Sequence, residues 1–131
     1  MTDKSVIQQV LGSLLQEPQL LGKVDRYNLT IMDFSTRFEK YIFSAITNLY
    51  HRGVVNIQPI DIANYLENDA VGKKVFEQNQ GIEYLQDIIE FSSSENFSYY
   101  YEKLKKINLI RDLRKQGFDT SEIFCEDLTN L

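Results

Sequence analysis

Thr36-Arg37-Phe38-Glu39-Lys40-Tyr41-Ile42-Phe43-Ser44-Ala45-Ile46-Thr47-Asn48-Leu49-Tyr50-His51-Arg52-Gly53 decides the fold class. Thr36 followed by Glu39 is a capping-box pattern, in which a hydroxyl and a carboxylate satisfy amides at the start of a helix. Phe38, Ile42, Ala45, Ile46 and Leu49 then recur at steps that put side chains on one helical face. His51 and Arg52 stand where cations complement the helix dipole, and Gly53 suits the residue that closes a helix. The stretch therefore predicts an amphipathic helix with both ends specified.

Working outward, the same grammar repeats. Ser5 with Gln8 reads as a second capping box, ahead of an apolar stripe of Val6, Val10, Leu11, Leu14 and Leu15. Pro18 suits the first turn of a short helix from Pro18 to Gly22. Pro59 opens a further helix with Ile62, Tyr65 and Leu66 inward, and a short helix is expected near 73–77. Gly81 starts a segment with Leu85, Ile88 and Ile89 on one face. Val54-Val55-Asn56-Ile57 has β propensity but is too short to hold a sheet, and reads as an extended connection. Ser92-Ser93-Ser94 breaks the pattern and looks like a joint. From Asn96 one long helix is expected, with Phe97, Tyr100, Leu104, Ile107, Ile110 and Leu113 at steps of 3, 4, 3, 3 and 3, so the stripe drifts around its axis. Gly117 near its end is expected to weaken it by about 1 kcal/mol relative to alanine. A turn after Phe124 and the start of another helix over 126–131 complete the pattern. The expectation is an all-α chain: a globule of about six short helices over residues 1–95, then a hairpin arm over 96–131 consisting of a long helix and the start of a second.

A chain of 131 residues can bury an ordinary core without metal or disulfide staples. Apolar residues at 43% and charged residues at 25% match a soluble globular protein. No apolar run approaches the ~18 residues of a membrane span, and residues 1–10 lack the regions of a secretory signal. The single cysteine, Cys125, cannot form an internal disulfide, and these features point to a cytoplasmic setting. Net charge is −5, and residues 1–95 hold 8 basic against 13 acidic side chains. That balance repels a phosphate backbone, so little direct nucleic-acid binding is expected.

Catalytic chemistry is hard to find. The two Gly-Lys pairs, Gly22-Lys23 and Gly72-Lys73, lack the earlier glycine of a phosphate-binding loop, because Glu17 and Glu67 occupy its place. Val24 and Lys74 replace the required hydroxyl. One histidine and one cysteine make neither an ordinary zinc site nor an evident nucleophile pair. Lys103, Lys105, Lys106, Arg111, Arg114 and Lys115 read as a solvated helix face before they read as a nucleic-acid contact. Tyr99-Tyr100-Tyr101 could stack bases, but consecutive residues diverge on a helix, so core packing is the better reading. Residues 62–76 imitate a helix-turn-helix, yet Glu67 stands where the tight turn favours glycine and the second segment lacks a basic face.

Several motifs, taken in order, resemble the N-terminal domain of DnaB-type replicative DNA helicases. Ser5 to Leu15, with Gln9-Val10-Leu11-Gly12-Ser13-Leu14-Leu15, resembles that family's opening helix. Pro18 falls in its D-P turn, with Glu17 in place of aspartate. Asp33-Phe34, then Ile42-Phe43-Ser44-Ala45-Ile46 and Leu49 to Gly53, resemble its D-F and I-F-x-A-[IM]-x-x-L-x-x-x-G pieces. Ile60-Asp61-Ile62-Ala63 and Leu66 sit where that family has its D-x-x-T-[VL]-x-x-x-L helix. Gly81-Ile82-Glu83-Tyr84-Leu85 is similar to G-G-x-x-Y-L, with Gln80 replacing the first glycine. Asn96 to Tyr100 and Leu109 to Leu113 resemble pieces of its hairpin arm. The chain departs from the pattern in a longer connection at 54–58 and in a poorly matched 69–80.

The resemblance implies a helical globule with a two-helix arm that builds a collar of paired domains above a hexameric motor ring. It implies a non-catalytic role in assembly and in docking the C-terminal domain of a DnaG-type primase. Tyr84 is the motif-matched primase contact, and Tyr100, Leu104, Ile107, Ile110 and Leu113 are the candidate self-association stripe of the arm. With the second arm helix short, a weak dimer or a monomer is expected in dilute solution. ATP and Mg²⁺ would belong to a motor domain downstream, so the natural chain is expected to continue well past Leu131. A DNA-binding helix-turn-helix regulator and a stand-alone phage replication accessory or helicase loader are the alternatives.

Overall fold

A computed structural model describes residues 3–117 of the chain. Those residues form an all-α fold of six α-helices: α1 (Asp3–Gln16), α2 (Arg37–His51), α3 (Pro59–Leu66), α4 (Ala70–Gln78), α5 (Gly81–Phe91) and α6 (Phe97–Lys115). Short 3-10 turns at Pro18–Gly22, Ile31–Asp33 and Ser94–Asn96 connect them.

The capping box that opens α2 forms as its sequence predicts. Glu39 N donates to Thr36 Oγ1 at 3.1 Å and Thr36 N donates to Glu39 Oε1 at 3.1 Å. Gly53, at φ +91°, takes the left-handed position after its last turn. Pro18 and Pro59 each sit in the first turn of their helices. Residues 54–58 are non-helical and lack strand pairing, but Ile57 turns inward and is fully buried.

Several expectations shift. α1 begins at Asp3, so Ser5 lies inside the first turn instead of capping it. α4 is longer than 73–77, because Asp69 caps it by accepting from Gly72 N at 2.9 Å. Tyr65 is only half-buried, and it carries the Arg52 guanidinium on its face. Gly117 follows the C-terminal cap of α6 with φ +90°, so it ends the helix rather than weakening its interior. The expected turn at Phe124, the helix over 126–131 and Cys125 lie outside the described residues.

α1 is the hub. From Val10 to Leu15 every residue is buried, which is the pattern of a helix surrounded by others. α5 and α6 flank it along most of its length, and α2 touches it from a third side. Gly12 makes the α1–α5 contact possible: a Cβ there would lie 2.5 Å from the Ile88 carbonyl and would also collide with Ser92. The glycine of the V-L-G motif is thus a close-approach residue. Ile42, Ile46, Ile62, Leu66, Leu85 and Ile88 complete the core with Phe97 and Leu104 of α6.

The serine joint is tied to α1. Gln16 Nε2 donates to the Ile89 carbonyl at 2.8 Å and the Ser92 carbonyl at 3.1 Å, and Ser93 N donates to Gln9 Oε1 at 3.2 Å. These bonds set the angle at which α6 leaves α5 and returns along α1.

Candidate functional site

α2, α4, α5 and the first turn of α1 meet around a groove of about 430 Å³. Phe38, Val75 and Tyr84 supply its apolar wall, Thr36, Gln78 and Asn79 neutral polar groups, and Lys4 and Arg37 its cations, with Glu39 buried at the base.

Local chemistry positions Tyr84. Asn79 ends α4, its Nδ2 donating to the Val75 carbonyl at 2.8 Å. Gln80 then adopts φ 53°, ψ 53°, the left-handed conformation, and this reverses the chain into α5. A glycine is the low-cost residue for such a conformation, which explains physically the first glycine of the G-G-x-x-Y-L pattern. The second position, Gly81, lies against the Phe76 ring so closely that any Cβ would collide with it. One turn on, Tyr84 meets Phe38 edge-to-face with ring centroids 4.9 Å apart.

Tyr84 is half-buried. Burial, and secondarily the nearby Glu39 carboxylate, push its phenol above the ordinary tyrosine range. It therefore stays a neutral hydroxyl at physiological pH. Glu39 takes its hydrogen bonds from the helix start, accepting at Oε1 from Ser35 N and Thr36 N, each at 3.1 Å. Lys4 and Arg37 are exposed, and neither has a carboxylate partner among the described residues.

The residues of the expected arm stripe separate. Leu104 is fully buried in the core, and Tyr100 and Ile107 pack against it. Ile110 is buried outside that contiguous cluster, Leu113 is half-buried, and Leu109 is exposed. The drift of the stripe is the physical cause, since one straight helix cannot hold all these positions against one partner.

A polar seam missed at the sequence level fixes the second half of α6. Asp33, buried in the turn before α2, accepts from Lys105 Nζ at 2.8 Å, Asn108 Nδ2 at 3.0 Å and Thr30 N at 2.9 Å. Arg111 donates to the Met32 carbonyl at 3.2 Å. Two members of the basic cluster are thereby engaged within the fold. Asn108, one turn after the core residue Leu104, was the available signal: a polar side chain on a buried face needs a buried partner. Tyr101 also turns inward, edge-on to Tyr27 and accepting from Asn28 N at 2.9 Å, while Tyr99 is exposed.

Among the described residues no cluster of histidine, cysteine and carboxylates is placed to hold a metal ion, and no helix is long and apolar enough to cross a membrane. The described residues thus form a small helical domain with an aromatic and cationic cleft beside α2, α4 and α5. The family model described as the DnaB-like helicase N-terminal domain matches residues 4–106, and the chain belongs to that family. It is 40% identical over 126 residues to an SPbeta prophage-derived uncharacterized protein, YorI, of Bacillus subtilis (strain 168). That alignment takes in 96% of this chain, which spans about a quarter of the length of the relative. No solved structure matches. The matched family supports a helicase-associated role in DNA replication.

Proposed function

We propose that this chain is the non-catalytic N-terminal assembly and docking domain of a replicative helicase, and that it binds the C-terminal helical domain of a DnaG-type primase through the groove at Tyr84. One observation carries the reading: the motif-matched tyrosine lines a concave surface with Phe38, Val75 and two exposed cations that have no carboxylate partner among the described residues. A neutral phenol over an apolar wall is the kind of anchor that dominates protein interfaces. Tethering primase there makes its encounter with the emerging single strand effectively intramolecular. ATP and Mg²⁺ belong, on this reading, to a motor domain elsewhere in the parent protein, working in the cytoplasm. Self-association falls to the outer part of α6, where Leu113 is half-buried and Leu109 is exposed.

Calorimetric titration with the primase C-terminal domain of the same replication system tests the reading. Tyr84→Ala weakens binding by about 2 kcal/mol, near thirtyfold, with far-ultraviolet dichroism unchanged. Equal affinity for both proteins would reject the groove as the docking site.

A further inference from the structure

Resting on the docking reading above, we infer that the groove selects an acidic segment of its partner: an apolar side chain that enters against Phe38, Val75 and Tyr84, flanked by carboxylates that meet Lys4 and Arg37.

The distribution of cations carries the inference. Elsewhere several positive side chains are engaged within the fold, while the exposed Lys23 and Lys74 do not line the groove. Lys73 pairs with Glu67 at 2.8 Å, and Lys105 with Asp33 at 2.8 Å. Lys40 donates to the Phe34 and Ile31 carbonyls. Arg26 and Arg52 lie over the Tyr27 and Tyr65 rings. Lys4 and Arg37 have no such partner among the described residues, yet they belong to different helices and converge on one groove. The acidic residue there, Glu39, is buried and accepts hydrogen bonds at the start of α2, which offsets its charge. Asp3 and Glu83, neighbours in sequence to Lys4 and Tyr84, are exposed but do not line the groove. The cleft is thus a cationic spot on a chain of net charge −5. Such a spot favours a negative partner and disfavours a positive one, giving specificity and orientation more than raw affinity. Nucleic acid is the weaker fit, because two cations on an acidic body neutralise few phosphates.

The test uses fluorescence anisotropy with the labelled C-terminal domain of the cognate primase. A Lys4→Glu/Arg37→Glu double variant is expected to bind about tenfold more weakly, through loss of attraction and gain of repulsion at two partly exposed pairs. Raising the salt concentration weakens the parent complex and narrows the gap to the variant. A Lys23→Glu/Lys115→Glu variant, with the same change in net charge at exposed positions that neither line the groove nor adjoin its lining residues, binds within about twofold of the parent. Helicity of all variants is checked by circular dichroism. Equal losses in the two double variants would overturn the inference. If Tyr84→Ala still weakens binding in that case, the docking reading survives alone. If Tyr84→Ala has no effect, both fail together. Displacement of the primase domain by a single-stranded oligonucleotide would overturn it in favour of a nucleic-acid ligand.

Discussion

Replacing Asp33 by alanine removes the acceptor at the centre of the α6 seam. Three donors lose the carboxylate as an acceptor. Thr30 N loses a cap-like acceptor at 2.9 Å, a change that costs about 1 kcal/mol. Asn108 Nδ2 keeps the Asp33 carbonyl at 3.1 Å, so its loss lies near the lower end of a buried unsatisfied group, about 1 kcal/mol. The Lys105 side chain is 34% exposed and can turn to water, which limits that part to under ~1 kcal/mol. The variant is therefore destabilised by about 2–3 kcal/mol, or roughly 10 °C in Tm for a domain of this size. Urea denaturation followed by far-ultraviolet dichroism measures the total. Hydrogen exchange locates it, since protection falls first in α6 beyond Lys105, where polar contacts replace apolar burial. Asp33→Asn keeps one side-chain acceptor, for Thr30 N or for Asn108 Nδ2 but not for both, and loses the ion pair, so it costs about 1–2 kcal/mol. An Asp33→Ala protein within about 0.5 kcal/mol of the parent would refute the view that this seam holds α6 in place.

Gly12→Ala destabilises by about 2–3 kcal/mol despite alanine's better helix propensity, because the new Cβ meets the backbone carbonyl of Ile88; thermal unfolding reads the loss. Gln80→Gly stabilises by about 0.5–1 kcal/mol by relieving a left-handed backbone at a non-glycine residue, and an unchanged urea midpoint would count against that strain. Tyr84 contributes to an alkaline limit on stability. Its folded pKa is raised above the ordinary 10.0, so its contribution is complete below that pH and is lost as pH rises further. The Tyr84→Phe protein accordingly shows a shallower fall in stability above pH 10 and lacks the latest step in phenolate absorbance.

Legibility in the sequence followed the physics of each element. α2 could be read end to end, because its cap, its apolar spacing and its closing glycine are all local signals. The prolines of the Pro18–Gly22 turn and α3 were equally plain. Starts that depend on weaker caps were harder: α1 opens at Asp3 before the Ser5 pattern, and α4 opens through Asp69. Tyr84 was found through its motif, whereas its groove partners Lys4 and Arg37 were not, since they come from separate helices and ordinary surface positions. The fate of the α6 stripe was beyond periodicity alone. Its first half serves the core and its second half is held by Asp33, a residue 72 positions from Lys105. Such a long-range polar contact leaves no local periodic trace.

Nuclear magnetic resonance mapping of the chain during titration with the cognate primase C-terminal domain locates the docking surface residue by residue. Saturable shifts are expected at Lys4, Thr36 to Glu39, Gln78, Asn79 and Tyr84, with α6 largely unmoved. Shifts confined to α6, or none at concentrations well above the micromolar range, would contradict a docking role for the groove.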